Sequence, residues 1–127
     1  MAGIQRFEDI EAWKEARILV QSVYRLTDQD GFTKDLGLRE QLRRAAVSIM
    51  ANIAEGFDAG SDSEFIRFLR YALRSGSEVQ SHLYVCLDRE HMDQTFFGRL
   101  CDQTAKVKSL TGGFMRYLRS NRDVRGQ

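Results

Sequence analysis

Proline is absent from this 127-residue chain, although average usage would supply roughly six. Together with long apolar runs at helical spacing, that absence favours an all-helical chain punctuated by glycine. The two cysteines, Cys86 and Cys101, are too few for a disulfide framework, and no signal peptide is visible, so we expect a cytoplasmic protein with reduced thiols. No apolar run approaches the roughly 18 residues that a membrane span needs, so we expect no membrane-spanning segment and no membrane partner.

Charge of one sign is also lacking, since 19 basic and 18 acidic residues leave a net charge of +1. The segment from residue 93 onward is the exception, with seven basic and three acidic side chains. Arginines recur there in three-residue steps, at Arg116, Arg119, Arg122 and Arg125. A basic end of this kind can bind nucleic acid or acidic lipid, although it is more often a solvated tail that favours the dipole of a helix C-terminus.

Apolar residues recur at helical spacing in four segments, which run from about Asp9 to Thr27, Leu38 to Glu55, Ser61 to Asp88 and Asp93 to Asn121. Glycines separate the first three segments, and Ser61-Asp62-Ser63-Glu64 is a capping box that opens the third. The pattern predicts an all-α, antiparallel up-and-down four-helix bundle that forms a single domain over residues 1–127. A short disordered N-terminus and a basic tail from about residue 120 are expected to flank the helices.

Three apolar rows run along the third helix, a wider face than a helix half open to water requires. The rows are Phe65, Ala72, Val79 and Cys86; then Leu69, Gly76 and Leu83; then Ile66, Leu73 and Leu87, interrupted by Gln80. This width indicates either a central position within the monomer or burial against a second subunit. In so small a bundle we favour the second subunit.

Polar residues that a core would normally exclude interrupt the second and third helices. If the turn centres near Gly60, antiparallel pairing places Ser48 opposite Ala72 and Arg44 opposite Gly76, where small residues would allow close backbone approach. Glu78 is then expected to form an ion pair with Arg43 or Arg44, and Asn52 and Glu55 to bond the backbone at the start of the third helix. We interpret this set as a structural polar network: Arg44, Ser48, Asn52, Glu55 and Glu78.

These residues resemble the pattern of the four-helix bundle family encoded by intervening sequences in bacterial 23S ribosomal RNA genes. The match is carried by Gln41-Leu42-Arg43-Arg44-Ala45-Ala46, Ser48-Ile49, Asn52-Ile53-Ala54-Glu55-Gly56, Phe65, Phe68-Leu69 and Ala72-x-x-Ser75-x-x-Glu78, with Phe7-Glu8-x-x-x-x-Trp13 resembling the family's opening. The resemblance covers about residues 7–118. It departs at Met50, where the family usually has proline, and the loss of that proline should straighten the second helix. A second departure is Arg74, where the family often has glycine. A third is Thr111-Gly112-Gly113, which we expect to loosen the last helix.

The resemblance implies a cytoplasmic homo-oligomer, a ring of five bundles, with no enzymatic activity. It also implies a link to nucleic acid, because related bundles act as accessory proteins to reverse transcriptases in diversity-generating retroelements and bind nucleic acid through basic surfaces.

Arginines on the second and third helices form the local nucleic-acid candidates, since a guanidinium can bond two phosphate oxygens at once. Tyr71 and Tyr84 on the third helix are candidates for stacking on bases. As the alternative, the arginines pair with Glu64 and Asp62 or with a neighbouring subunit. The candidate contact residues are Arg39, Arg43, Arg67, Arg70, Arg74, Arg116, Arg119 and Arg122.

Residues for catalysis or metal binding are sparse. His82 lies four residues from both Glu78 and Cys86, but zinc needs four ligands in a tighter pattern. No phosphate-binding glycine loop or nucleophile–histidine–acid set is present, so we expect no catalytic residue, metal or cofactor. The sequence therefore predicts a non-enzymatic oligomeric accessory protein that binds RNA or DNA; the alternative is a homo-oligomeric protein-interaction scaffold without nucleic-acid binding, whose protein partner is unknown.

Overall fold

Four helices build the part of the chain that the structure describes, as the sequence predicts. The computed structural model describes residues 3–124, with side chains from residue 3 to residue 120. The helices are α1 (Glu11–Thr27), α2 (Leu36–Phe57), α3 (Asp62–Asp88) and α4 (Gln94–Val124), and short 3-10 turns at Phe7–Asp9 and Asp30–Phe32 precede α1 and α2. Gly56, expected to end the second helix, is buried inside α2, and α4 runs three residues beyond the expected Asn121.

Cross-helix contacts show that neighbouring helices are antiparallel. Ser48 on α2 meets Ser75 on α3, whereas Gly56, further along α2, meets Phe65, so numbers rise on one helix as they fall on the other. The same inverse order relates α3 to α4, where Lys108 packs over Gly76 and Phe97 packs on Tyr84. Since α1 packs against α2 and α4, and α3 packs against the same two helices, the fold is an antiparallel four-helix bundle.

Specific polar contacts fix the helix ends. Ser61 Oγ accepts a hydrogen bond from the Glu64 amide at 3.2 Å, which confirms the serine half of the predicted capping box. Asp93 does the same for α4, accepting from the Phe96 amide at 2.8 Å. The α2–α3 turn passes through Gly60 at φ +91°, a backbone angle that glycine adopts without a Cβ clash.

The C-terminus of α3 ends in a Schellman motif without glycine. The amide of Glu90 donates to the carbonyl of Leu87 at 3.0 Å, and the amide of His91 donates to the carbonyl of Cys86 at 2.9 Å. Glu90 occupies the left-handed position, at φ +62°, where glycine is the usual residue. This turn fixes the direction in which the chain delivers His91.

The wide apolar face of α3 is largely explained within one chain. The first two rows, with Phe65, Leu69, Val79 and Leu83 among them, are buried in the bundle core. Ile66 of the third row is also buried, and its companions pack partly buried against the core. Our assignment of this face to a second subunit was therefore wrong: the apolar face of α3 packs against α2 and α4, and neighbours in its own chain cover most of it.

The departures from the family pattern leave the helices intact. With Met50 in place, α2 is one uninterrupted helix from Leu36 to Phe57. The Thr111-Gly112-Gly113 run, expected to loosen the last helix, lies inside continuous helix, and Thr111 Oγ1 donates to the Val107 carbonyl at 2.7 Å. Among residues 3–124, no helix combines the length and apolarity needed to cross a membrane.

Candidate interaction surfaces

Arg43 is held in place by α1. Its Nε donates to Thr27 Oγ1 at 2.7 Å and its Nη2 to Asp28 Oδ1 at 2.8 Å, while the guanidinium lies 4.3 Å from the centroid of the Tyr24 ring. The side chain is only 14% exposed. Arg43 is therefore a structural link between α1 and α2, and most of its surface is withdrawn from any nucleic acid.

Arg39 lies one turn earlier on α2 and points to the same carboxylate. Its Nη2 is 4.0 Å from Asp28 Oδ1, the side chain is 27% exposed, and its Nε is buried without a hydrogen-bond partner. We refer to Arg39 and Arg43 as the arginine pair. The two residues are four positions apart on α2, and the acid that they share is on the α1–α2 loop.

The predicted ion pair between Glu78 and Arg43 or Arg44 is not formed. Arg43 bonds Asp28 instead, Arg44 is exposed, and the only ion-pair neighbour of Glu78 in the described part of the chain is His82, at 3.4 Å. The physical reason is reach: the long Arg43 side chain extends across to α1 rather than along the α2/α3 interface.

Ser48 is the centre of the small polar network that does form. Its Oγ lies 2.9 Å from Ser75 Oγ across the α2/α3 interface, and it accepts from Asn52 Nδ2 at 3.0 Å. Asn52 Nδ2 also donates to the Ser48 carbonyl at 2.9 Å. Asn52 therefore bonds its own helix, whereas the sequence led us to expect a bond to the start of α3. Glu55 is exposed.

Gly76 has a different purpose from the one predicted. A Cβ at Gly76 would lie 2.7 Å from Lys108 Cγ, so the glycine makes room for a side chain from α4 and not for the backbone of α2 near Arg44. Lys108 Nζ then donates to Ser77 Oγ at 2.9 Å and to Gln80 Oε1 at 3.1 Å. The missing side chain thus lets an amphipathic lysine cross the α3/α4 interface.

The arginine stripe on α3 divides into one paired and two unpaired members. Arg67 donates to Glu64 Oε2 at 2.7 Å and to the Tyr71 hydroxyl at 3.3 Å, and the Glu64 hydrogen bond raises the pKa of Arg67. Arg70 and Arg74 are exposed and make no ion pair within the described residues, although Arg74 lies 5.8 Å from the Tyr71 ring centroid. The alternative of pairing with Glu64 is confirmed for Arg67.

The C-terminal arginines lie on the last turns of α4. Arg116 is exposed, with its guanidinium beside Gly112 and Gly113, and Arg119 is half-buried. The side chains of Arg122 and Arg125 lie outside the described residues. The described residues of this basic helix end make no hydrogen bond or ring contact with the arginines of α3.

His82, Glu78 and Cys86 do not assemble into a ligand cluster. His82 Nε2 is buried and has no hydrogen-bond partner among the described residues, although Glu78 Oε2 lies 3.4 Å away. Cys86 is fully buried, and that burial raises the pKa of its thiol to about 12. Across the part of the chain that the structure describes, no three His, Cys, Asp or Glu side chains converge as metal ligands.

Sequence reasoning missed a contact that joins the two loops at one end of the bundle. His91 Nε2 lies 2.9 Å from Asp35 Oδ2, and the imidazole packs 4.7 Å from the Phe32 ring, measured between centroids. The hydrogen bond to His91 lowers the pKa of Asp35. Both residues fall in segments without periodicity, so no spacing pattern could have paired them.

A second missed feature is an apolar groove where α1 meets α2, lined by Phe7, Trp13, Val47, Met50, Ala51 and Ala54, which we call the tryptophan surface. The groove has a volume of about 300 Å³, and Val47 is 38% exposed. On the other side of Trp13 lies a wider concavity of about 720 Å³, where Ile18 is 51% exposed. The available signal was that Val47 and Ala51 are apolar yet fall outside the inward row of α2.

The fold is a small helical bundle, and its described part holds no cluster of three metal-ligating side chains. The chain belongs to the 23S rRNA-intervening sequence protein family, whose model matches residues 8–113. A crystal structure of a protein of unknown function from the S23 ribosomal protein family of Bacteroides thetaiotaomicron is similar, with a TM-score of 0.74 and 19% sequence identity. That likeness covers 82% of this chain and 97% of the other, and it shows the fold alone. No curated protein matches the sequence significantly.

Proposed function

We propose that this protein is a cytoplasmic, non-enzymatic interaction protein that assembles with copies of itself. The observation that carries the proposal is the tryptophan surface, on which the exposed Val47 side chain lies beside the half-buried Trp13 and Met50 in one apolar groove. Contiguous apolar patches of this kind on a soluble protein mark interaction sites. Aromatic residues and methionine are also enriched at such interfaces.

A second copy of this chain is the partner we favour. The α3 face that first suggested self-association is covered by other helices of the same chain. The proposal of self-association therefore rests on the tryptophan surface. Its apolar residues come from two adjacent helices and line a groove with walls, which a helix side of another subunit can enter. A pentameric ring remains our proposal for the assembly, and it rests on the family resemblance.

Matched valine substitutions test this assembly. Val47→Asp places a charge on the tryptophan surface, and Val85→Asp places one at a comparably exposed site on α3, since the wild-type valines are 38% and 42% exposed. Sedimentation velocity should show an oligomer for the wild type and for Val85→Asp, but a smaller species for Val47→Asp with unchanged helicity. A monomeric wild type at micromolar concentration, or equal dissociation of both variants, would contradict the proposal.

Nucleic-acid binding is the second candidate function, and one observation favours it. Arg70 and Arg74 lie exposed on one side of α3, one turn apart, with no acidic partner among the described residues. The half-buried Tyr71 ring, whose centroid lies 5.8 Å from the Arg74 guanidinium, offers a stacking face. Repetition of this stripe by every subunit of an oligomer would strengthen a weak local field.

Fluorescence anisotropy with a labelled, structured ribosomal RNA fragment tests this candidate at several salt concentrations. The double variant Arg70→Glu/Arg74→Glu should weaken binding strongly and reduce the salt slope by about 2, because two phosphate contacts are lost. The control is Arg25→Glu/Arg99→Glu, which reverses two exposed arginines on α1 and α4. Equal weakening in both double variants, or no wild-type binding at low salt, would remove the nucleic-acid candidate and leave self-association untouched.

A further inference from the structure

The arginine pair brings two guanidinium groups to one carboxylate. Arg43 Nη2 and Arg39 Nη2 lie 2.8 and 4.0 Å from the same oxygen, Asp28 Oδ1. The two arginine side chains are 14% and 27% exposed, whereas the Asp28 side chain is 68% exposed. One well-solvated anion is therefore set against two largely desolvated cations, and a positive charge remains without a counter-charge.

The two arginines differ in how their donors are used. Arg43 is fixed by Thr27 and by the face of Tyr24. Arg39 makes no side-chain hydrogen bond within the described part of the chain, and its buried Nε has no partner. A buried donor without an acceptor is uncommon in folded proteins, so the contact with Asp28 does not satisfy the Arg39 guanidinium.

Nearby groups increase the positive potential at this place. α2 begins at Leu36, so the positive end of its dipole lies within about one turn of Arg39. Asp35, which precedes the first residue of α2, is held by His91 at 2.9 Å and turned toward the α3–α4 loop, and Glu40, next to Arg39 in sequence, is exposed. Asp28 is thus the only acid within ion-pair distance of the arginine pair among the described residues.

We propose that the arginine pair is a binding site for a phosphate group. Arg39 offers the N–H donors of its Nη1 and Nη2, since its Nε is buried, and Arg43 retains those on Nη1, a set that the several oxygens of a tetrahedral phosphate satisfy better than the two of a carboxylate. Arg43, fixed by its own contacts, supplies the rigid half of the site, and Arg39 supplies the free fork. The site lies at the α1–α2 end and does not depend on self-association or on the α3 stripe.

Calorimetric titration of the full-length protein with inorganic phosphate tests the proposal. Arg39→Gln should weaken phosphate binding by about tenfold, as expected for the loss of a charge-assisted hydrogen bond. Arg44→Gln, which removes an exposed arginine from the next turn of the same helix, should leave the affinity unchanged. Asp28→Asn should tighten phosphate binding several-fold because it removes the competing carboxylate, whereas a purely structural arginine–aspartate contact predicts no gain.

Two further titrations identify the source of the phosphate. Thymidine 5′-monophosphate binding more tightly than inorganic phosphate, with thymidine itself not binding, would indicate the terminal phosphate of a nucleotide or nucleic acid. Equal affinity for inorganic phosphate would indicate the free anion. Acetate binding as tightly as phosphate, an equal response of Arg39→Gln and Arg44→Gln, or absence of phosphate binding by both the wild type and Asp28→Asn would each overturn the proposal.

Discussion

The α2/α3 and α1/α2 interfaces solve the same packing problem with residues of opposite size. Between α2 and α3, Gly56 and the facing serines Ser48 and Ser75 bring the helices close and bond across the contact. Between α1 and α2, Trp13 and Met50 line a groove with a volume of about 300 Å³. Small residues close one interface, whereas large residues line the open one, where we propose that a second subunit packs.

The largest effect is expected from filling the closed interface. In Gly56→Val the new Cβ would lie 2.7 Å from Phe65 Cδ1 and 2.9 Å from Phe68 Cβ. Because neither ring can move without disturbing the core, we expect unfolding by urea to show a loss of about 3 kcal/mol. The matched change on the open interface, Ala51→Val, should alter stability by less than about 0.5 kcal/mol. Similar losses at both positions would show that the two interfaces are equally tight.

A smaller loss is expected when the polar contact of the closed interface is cut. Ser75→Ala removes the partner 2.9 Å from Ser48 Oγ but leaves the Asn52 bond. The free energy of unfolding should fall by about 1 kcal/mol, the usual net value of one hydrogen bond. Ser81→Ala, at an exposed position on the same helix, provides the control. If both variants unfold at the same urea concentration as the wild type, the serine contact contributes nothing to closure.

The smallest effect concerns the loop contact beside the α1–α2 end. The hydrogen bond to His91 lowers the pKa of Asp35 in the folded state. As pH falls, the Asp35 carboxylate therefore becomes protonated in the unfolded chain before it does in the folded protein. The stabilisation is therefore complete above the ordinary carboxyl pKa of about 4 and disappears as pH falls through the folded value. Thermal unfolding should show that Asp35→Asn is less stable than the wild type at pH 6 and equal to it near pH 2. A difference that grows with acid would contradict this sign.

Helix periodicity was enough to predict the fold but not the partners of individual side chains. The four segments and their antiparallel order follow from apolar spacing and glycine, and the structure confirms them. Ser48 was predicted opposite Ala72 and instead meets Ser75, a shift of about one helical turn. Such a shift returns nearly the same face to the interface, so the apolar pattern is satisfied by either alignment.

Long side chains and loops account for the remaining errors at the candidate sites. Arg43 was expected along the α2/α3 interface but reaches Thr27 on α1, a choice that depends on side-chain rotamers and not on spacing. His91 is delivered to Asp35 by a Schellman turn whose left-handed residue is glutamate, so the usual glycine signal is missing. The tryptophan surface depends on how far apart two helices stand, which no single sequence pattern encodes.

The order of the helices around the bundle has a consequence for how the chain folds. α1 packs on α2, α2 on α3 and α3 on α4, so three of the four interfaces form between consecutive segments of the chain. Such local contacts require little loop closure and are associated with folding in microseconds to milliseconds. The pairing of α1 with α4 is the long-range step, and we expect it to form late. A nascent chain could therefore assemble its first three helices before the basic final helix is made.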